Sequence, residues 1–268
     1  MLYHVKIFFL VAVLLLHAIF AAIGKITLFF HKRLRILYAA NVNRIICILL
    51  CFIMGIHIEK PSKLARHKRP VLYVGNHLSY LDILPIGCCY PVIFVTSVDM
   101  GERKSEGWIT SNAASVYVER RRDKLNLNVL KKNIKSIKDI ISERYALCIF
   151  PEATSANSKD TLVFFSSLFS SVEYSKTMVV PFMIEYVLID GKPLSKENEA
   201  IVYFYKGQRF LAHIKNLLKH GKIHIRINIL EAFSAEKKNR KDICSHCKLL
   251  IEEAMERESK MIQETNYT

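Results

Sequence analysis

The sequence predicts an α/β fold: a mixed, largely parallel sheet flanked by helices, with an N-terminal membrane-associated helical segment. Three observations carry the prediction. Short apolar runs of strand character alternate with helix-periodic stretches from Pro70 to Gln263, the pattern of chains that wind helices around a parallel sheet. Residues 7 to 24 contain no charge. Between these regions, Lys60 to Arg69 is basic and aperiodic, which marks a linker. The chain accordingly divides into an anchoring segment, 1–58, and a body, 59–268.

At about 1.5 Å per residue, the run from Ile7 to Gly24 just spans a hydrocarbon core of ~30 Å. Ala22-Ile23-Gly24 resembles a signal-peptide cleavage site, but apolar sequence resumes after Lys25, which favours a retained anchor. A second apolar stretch, Ile45 to Ile56, is too short to span and begins beside Arg44, so it reads as an interfacial or re-entrant helix. Lys25, Lys32, Arg33 and Arg35 follow the first run, against Lys6 alone before it. Positive charge stays on the cytoplasmic side, so the body is expected in the cytoplasm, on the inner membrane.

Strands are predicted over Pro70–Val74, residues 91–96, Ala114–Val118, Ala146–Phe150, Met178–Tyr186 and Ile223–Leu230. The spacing of Leu127, Leu130, Ile134, Ile137 and Ile141 predicts a helix over Leu125–Glu143. Two more helices are expected, over Arg209–His220 and Asp242–Gln263.

Composition limits the partners. The chain has 268 residues, 51% of them hydrophobic, and a net charge of +15. That excludes global disorder and admits anionic lipid, nucleic acid or phosphorylated small molecules. Nucleic acid is not expected, because no recognition motif appears and the aromatics fall mostly in strands. Seven cysteines, an odd number set mostly in apolar runs, argue against a disulfide framework. Cys244-Ser-His-Cys247 lacks a second ligand pair for zinc, so no metal is expected.

The segment that carries chemistry is Gly75-Asn-His-Leu-Ser-Tyr-Leu-Asp82, directly after a predicted strand. Loops at strand ends are where open α/β sheets form sites. An Asp beyond such a turn can fix the tautomer of His77 and stabilise its cation, which suits proton abstraction from a substrate hydroxyl. The bland reading is a histidine capping the strand end and Asp82 starting a helix.

Gly75-Asn76-His77 with Ser79 and Asp82 resembles the first motif of the glycerolipid acyltransferases, the family that includes lysophosphatidic acid acyltransferase. Ser115-Val-Tyr-Val-Glu-Arg120 resembles the second motif, Phe150-Pro-Glu-Ala-Thr-Ser155 the third, and Val179-Val-Pro-Phe182 the fourth. Tyr205-Lys-Gly-Gln-Arg-Phe, His213 and Leu217-Leu218 look like a later segment of one bacterial branch. The sequence departs from the pattern at Ala153, where the family has Gly, at Phe165, where Lys is common, and at Gln208, where Asp is common.

The resemblance implies acyl transfer from a thioester, acyl-CoA or acyl carrier protein, to the hydroxyl of a lysophospholipid. The acceptor expected first is 1-acylglycerol-3-phosphate. Alternatives are a lyso-aminolipid, glycerol 3-phosphate, or lipid binding without turnover. It implies His77 as general base and Asp82 as its orienting partner. Arg120 is implied for the acceptor phosphate, Glu152 and Thr154 for the acceptor's glycerol end and its loop, and Pro181 for the shape of the sheet edge beside the substrate. No cofactor beyond the acyl donor is implied.

Overall fold

The computed structural model describes residues 2–61, 70–119, 124, 126–143, 145–152, 164–205 and 207–265, with side chains from 3 to 258. Helices α1 (Leu2–Thr27) and α2 (Lys32–Met54) open the chain as a hairpin. Both are long and apolar enough to cross a membrane by length and composition. The short interfacial helix expected over Ile45 to Ile56 is instead the second half of the 23-residue α2. Polar residues hid it. Asn43 takes a hydrogen bond from His17 (3.1 Å) and donates to the Ala113 carbonyl (2.8 Å), while Arg44 donates to the Cys88 carbonyl (3.2 Å). Asn43 and Arg44 thus both have partners, so their presence does not break the helix. The buried face runs through Ala40, Asn43, Cys47, Cys51 and Met54, at helical spacing.

Both ends of the hairpin are bonded to the body. Lys6, read from sequence as a flanking charge, is buried and donates to the carbonyls of His220 (2.6 Å) and Met54 (3.4 Å). At the other end the Tyr145 hydroxyl donates to the Arg33 carbonyl at 2.6 Å. Gly24, part of the cleavage-like tripeptide, lies under Tyr38, where an added Cβ would sit 2.5 Å from the ring. The outward face is apolar: Phe8 is 67% exposed, Ile26 76%, Phe30 90% and Phe52 86%. Exposed apolar side chains of this kind suit association with a membrane.

The body follows as β1 (Ile56–Glu59), β2 (Val71–Gly75), α3 (Ile83–Cys89), β3 (Ile93–Ser97), α4 (Val98–Glu102), α5 (Lys104–Asn112) and β4 (Val116–Val118). Then come α6 (Leu127–Ser142), β5 (Ala146–Ile149), β6 (Met178–Ile189), β7 (Lys192–Pro193), α7 (Phe210–Leu217), β8 (Ile223–Ile229), β9 (Phe233–Ser234) and α8 (Arg240–Thr265). The main path of the sheet is β1-β8-β6-β2-β5-β3-β4, with β7 and β9 flanking β6. Among the described residues, only the pairings of β6 with β7, β8 and β9 are antiparallel. The mixed, mostly parallel sheet is therefore as expected. The strand read from Ala114 begins two residues later, because Ala114 holds a left-handed φ of 52°. The division expected after residue 58 falls inside β1, which pairs with β8.

The central strands are buried on both faces, as parallel strands under helices must be. Tyr73, Cys148 and Val180 face one core with residues of α2, α3 and α7. Leu72, Val74, Leu147, Ile149 and Val179 face the other with residues of α6 and α8. Pro181 sits in β6, a central strand rather than an edge. Its carbonyl accepts from Leu230 N at 2.9 Å, and its missing N–H faces the same gap, between the last β8 pair at Phe182–Ile229 and the first β9 pair at Val179–Phe233.

Candidate active site

Strands β5, β2 and β6 lie side by side and parallel, so their C-terminal ends bring three segments together. From β2 comes the turn Gly75–Asp82, from β5 the segment Phe150–Glu152, and from β6 the run Phe182–Tyr186. Gly75 permits the approach: an added Cβ would meet the Phe182 ring at 2.3 Å. Asn76, fully buried, locks the turn to β6 by taking the Ile184 N–H (2.8 Å) and donating to the Ile184 carbonyl (3.0 Å). Its amide occupies the place of one more strand residue.

The turn then wraps around a single carboxylate. Asp82 Oδ2 accepts from His77 Nδ1 at 2.9 Å, Leu78 N at 2.6 Å and Ser79 N at 2.7 Å. Oδ1 accepts from the Tyr186 hydroxyl at 2.8 Å. Asp82 is 0% exposed, and these four donors hold its charge out of water. The Ser79 hydroxyl is spent on the turn, where it caps Leu81 N at 3.4 Å. A carboxylate only accepts, so the proton on His77 lies on Nδ1, and Nε2 is left to exchange a proton. The imidazole is stacked on Phe150, with ring centroids 4.6 Å apart and planes at 21°. His77 remains 23% exposed at its side chain while its partner is sealed.

Glu152 joins the first and third sequence motifs. Its Oε1 accepts the His77 backbone N–H at 3.0 Å, and Oε2 is buried with no hydrogen-bond partner among the described residues. Burial pushes its carboxyl up to about 8, partly offset by the His77 N–H and reinforced by the Asp82 charge. The glutamate is thus held protonated at neutral pH, with one oxygen unsatisfied. A carboxyl raised from 4.5 to about 8 takes up a proton on folding. Its stability is therefore full below the unfolded value and falls as pH rises through the folded one. Glu152→Gln keeps the bond to His77 N and removes the titration. Thermal melts should show the variant gaining on the parent between pH 5 and 8.5, by about 2–4 kcal/mol at the upper end. An equal difference at both pH values would mean that Glu152 does not titrate in the fold.

His77, Asp82 and Glu152 therefore converge, and Pro181 lies one residue before the Phe182 that packs on Gly75. Arg120 and Thr154 lie outside the described residues, as do Arg121, Arg122 and Ala153. Tyr186 is the member that sequence reading missed. It ends a run read only as a strand, although a buried tyrosine needs a partner for its hydroxyl. A later segment also fastens the turn: Phe204 N donates to the Leu78 carbonyl at 3.1 Å, and the Tyr80 hydroxyl meets His213 Nδ1 at 2.8 Å.

Residues 55–185 match the family model described as Acyltransferase. A lyso-ornithine lipid O-acyltransferase of Rhizobium meliloti is 27% identical over 201 residues, covering 72% of this chain and 67% of that protein. One from Pseudomonas aeruginosa is 24% identical over 210 residues, covering 78% and 75%. A 1-acyl-sn-glycerol-3-phosphate acyltransferase of Neisseria gonorrhoeae is 25% identical over 151 residues, 56% of each chain. The crystal structure of a 1-acyl-sn-glycerophosphate acyltransferase from Thermotoga maritima superposes over 97% of this chain and 98% of its own, with a TM-score of 0.59 at 13% identity, and so shares the fold. With the motif residues gathered at one end of the sheet, residues 55–185 form a domain that matches the Acyltransferase family and is similar to the lyso-ornithine lipid and 1-acyl-sn-glycerol-3-phosphate acyltransferases.

Proposed function

We propose that this protein moves a fatty acyl group from an acyl thioester, acyl-CoA or acyl carrier protein, to the free hydroxyl of a membrane lysolipid. One observation carries the reading: a partly exposed imidazole is paired through Nδ1 with a sealed, four-donor carboxylate. In the proposed step His77 Nε2 removes the acceptor hydroxyl proton as its oxygen attacks the thioester carbonyl carbon. The tetrahedral oxyanion collapses, the C–S bond breaks, and the proton on His77 passes to the departing thiolate. Asp82 holds the ring and stabilises its transient cation. No enzyme nucleophile is used, in keeping with a Ser79 committed to the turn. Glu152 Oε2 is offered to the acceptor near its reacting hydroxyl, with Thr154 supporting that loop and Arg120 meeting a headgroup anion.

The acceptor we favour is a lyso-ornithine lipid, because relatives so named match 72% and 78% of this chain. A second reading, 1-acylglycerol-3-phosphate giving phosphatidic acid, is favoured by the run Arg120-Arg121-Arg122, since guanidinium groups suit phosphate. The deciding assay supplies membranes carrying the protein with both donors and a panel of lyso-acceptors, and reads products by mass. Diacylated product with one acceptor selects that reading. Free fatty acid alone would mean that water is the acceptor and the proposal is wrong.

We further propose that the α1–α2 hairpin rests on one membrane face with its apolar side inward and the body in the cytoplasm. A hairpin bonded to the body at both ends has no end left to cross with. Alkaline carbonate should leave the protein in the membrane fraction at full mass. Release into the supernatant, or loss of about the first 24 residues, would overturn this.

A further inference from the structure

We propose that Tyr186 is a positioning residue for acyl transfer, setting how strongly Asp82 holds the His77 proton. The inference deepens the proposed function and rests on the His77–Asp82 assignment. Tyr186 is among the largest fully buried side chains, and its hydroxyl donates to Asp82 Oδ1 at 2.8 Å. The other three donors, His77 Nδ1, Leu78 N and Ser79 N, all converge on Oδ2. Oδ1 has the Tyr186 hydroxyl as its partner among the described residues, so that bond holds the second oxygen while the other three hold the first.

Its second effect is electronic. A phenol donating to Oδ1 draws charge from the carboxylate and weakens its attraction for the imidazolium. The hydroxyl itself stays protonated, since burial and the Asp82 charge push Tyr186 well above the ordinary tyrosine value. The geometry is held from behind, because the Tyr186 and Tyr203 rings meet edge to face at 5.6 Å. Tyr203 precedes the Phe204 whose N–H is bonded to Leu78. Tyr186 and Tyr203 both lie beyond residues 55–185, the part that matches the family model. Part of the support of the turn thus comes from outside the matched region.

Tyr186→Phe removes one oxygen and keeps the ring. Turnover should fall about tenfold, with KM for donor and acceptor little changed. The acid limb of the pH–rate profile should move to higher pH, because an Asp82 with three donors holds the His77 proton more tightly. The limb is read below pH 7, where Glu152, raised to about 8, keeps its proton and does not contribute. A purely structural role would lower the folded fraction without moving the limb. Should the Phe variant fold poorly, a fluorinated tyrosine placed at 186 retains the shape and donates more strongly, so the limb should move to lower pH. Parent turnover and an unmoved limb in the Phe variant, or an unmoved limb with fluorotyrosine, would overturn the proposal. His77→Ala runs beside them. If that variant transfers acyl groups normally, the catalytic assignment fails, which is a different result from a silent Tyr186.

Discussion

His77→Ala should abolish acyl transfer, by about 10³-fold or more, while the protein stays folded and in the membrane. The magnitude follows from the two jobs that the proposed step gives one nitrogen. In that step Nε2 takes the hydroxyl proton and returns it to the thiolate, and a positioned general base contributes about 10²–10⁴-fold. The turn survives the change because its backbone does not depend on the imidazole. Asp82 keeps Leu78 N, Ser79 N and Tyr186, and Asn76 keeps both bonds to Ile184. His77 N, which belongs to the backbone, still reaches Glu152. Melting should therefore change little, limited to the lost stacking on Phe150. Purified variant turning over near the parent rate would reduce Gly75–Asp82 to a structural turn.

How much of this was legible in sequence depended on how far each partner lies along the chain. His77 and Asp82 are five positions apart, so their meeting could be argued from a single turn. Central strands announced themselves as apolar runs, and β2, β5, β6 and β8 lie within a few residues of where they were read. Glu152 was legible as a motif member, but its bond to His77 N spans 75 positions and depends on β2 and β5 being neighbours. Tyr186 and Asp82 are 104 positions apart, and nothing local in β6 distinguishes that tyrosine from core filler. The same distance effect hid α2. Its Asn43 and Arg44 looked like interruptions because Ala113 and Cys88, which satisfy them, are far along the chain. Lys6 was read only as a flanking charge for the same reason, its partner His220 being 214 positions away.

Asp82→Asn should lower turnover by about 10²–10³-fold with little change in KM for either substrate. The geometry decides which way the new amide points. Leu78 N and Ser79 N both donate toward the Oδ2 position, so an amide nitrogen there would face two donors. The amide oxygen must occupy that place, and it still accepts from His77 Nδ1. The ring tautomer and orientation are thus preserved. Tyr186, now facing the amide nitrogen, turns its hydroxyl to accept. What is lost is the negative charge beside the imidazolium, an interaction that matters only once the proton has moved. Such a loss appears in kcat and in kcat/KM alike. Asp82→Ala differs, since it leaves Leu78 N, Ser79 N and Tyr186 without an acceptor in a sealed site. That variant should lose stability as well, by several kcal/mol, at about 1–3 kcal/mol for each orphaned group. Measuring KM, kcat and melting for both variants separates charge from scaffold. A raised KM with unchanged kcat in Asp82→Asn would assign Asp82 to substrate binding and remove it from the proton transfer.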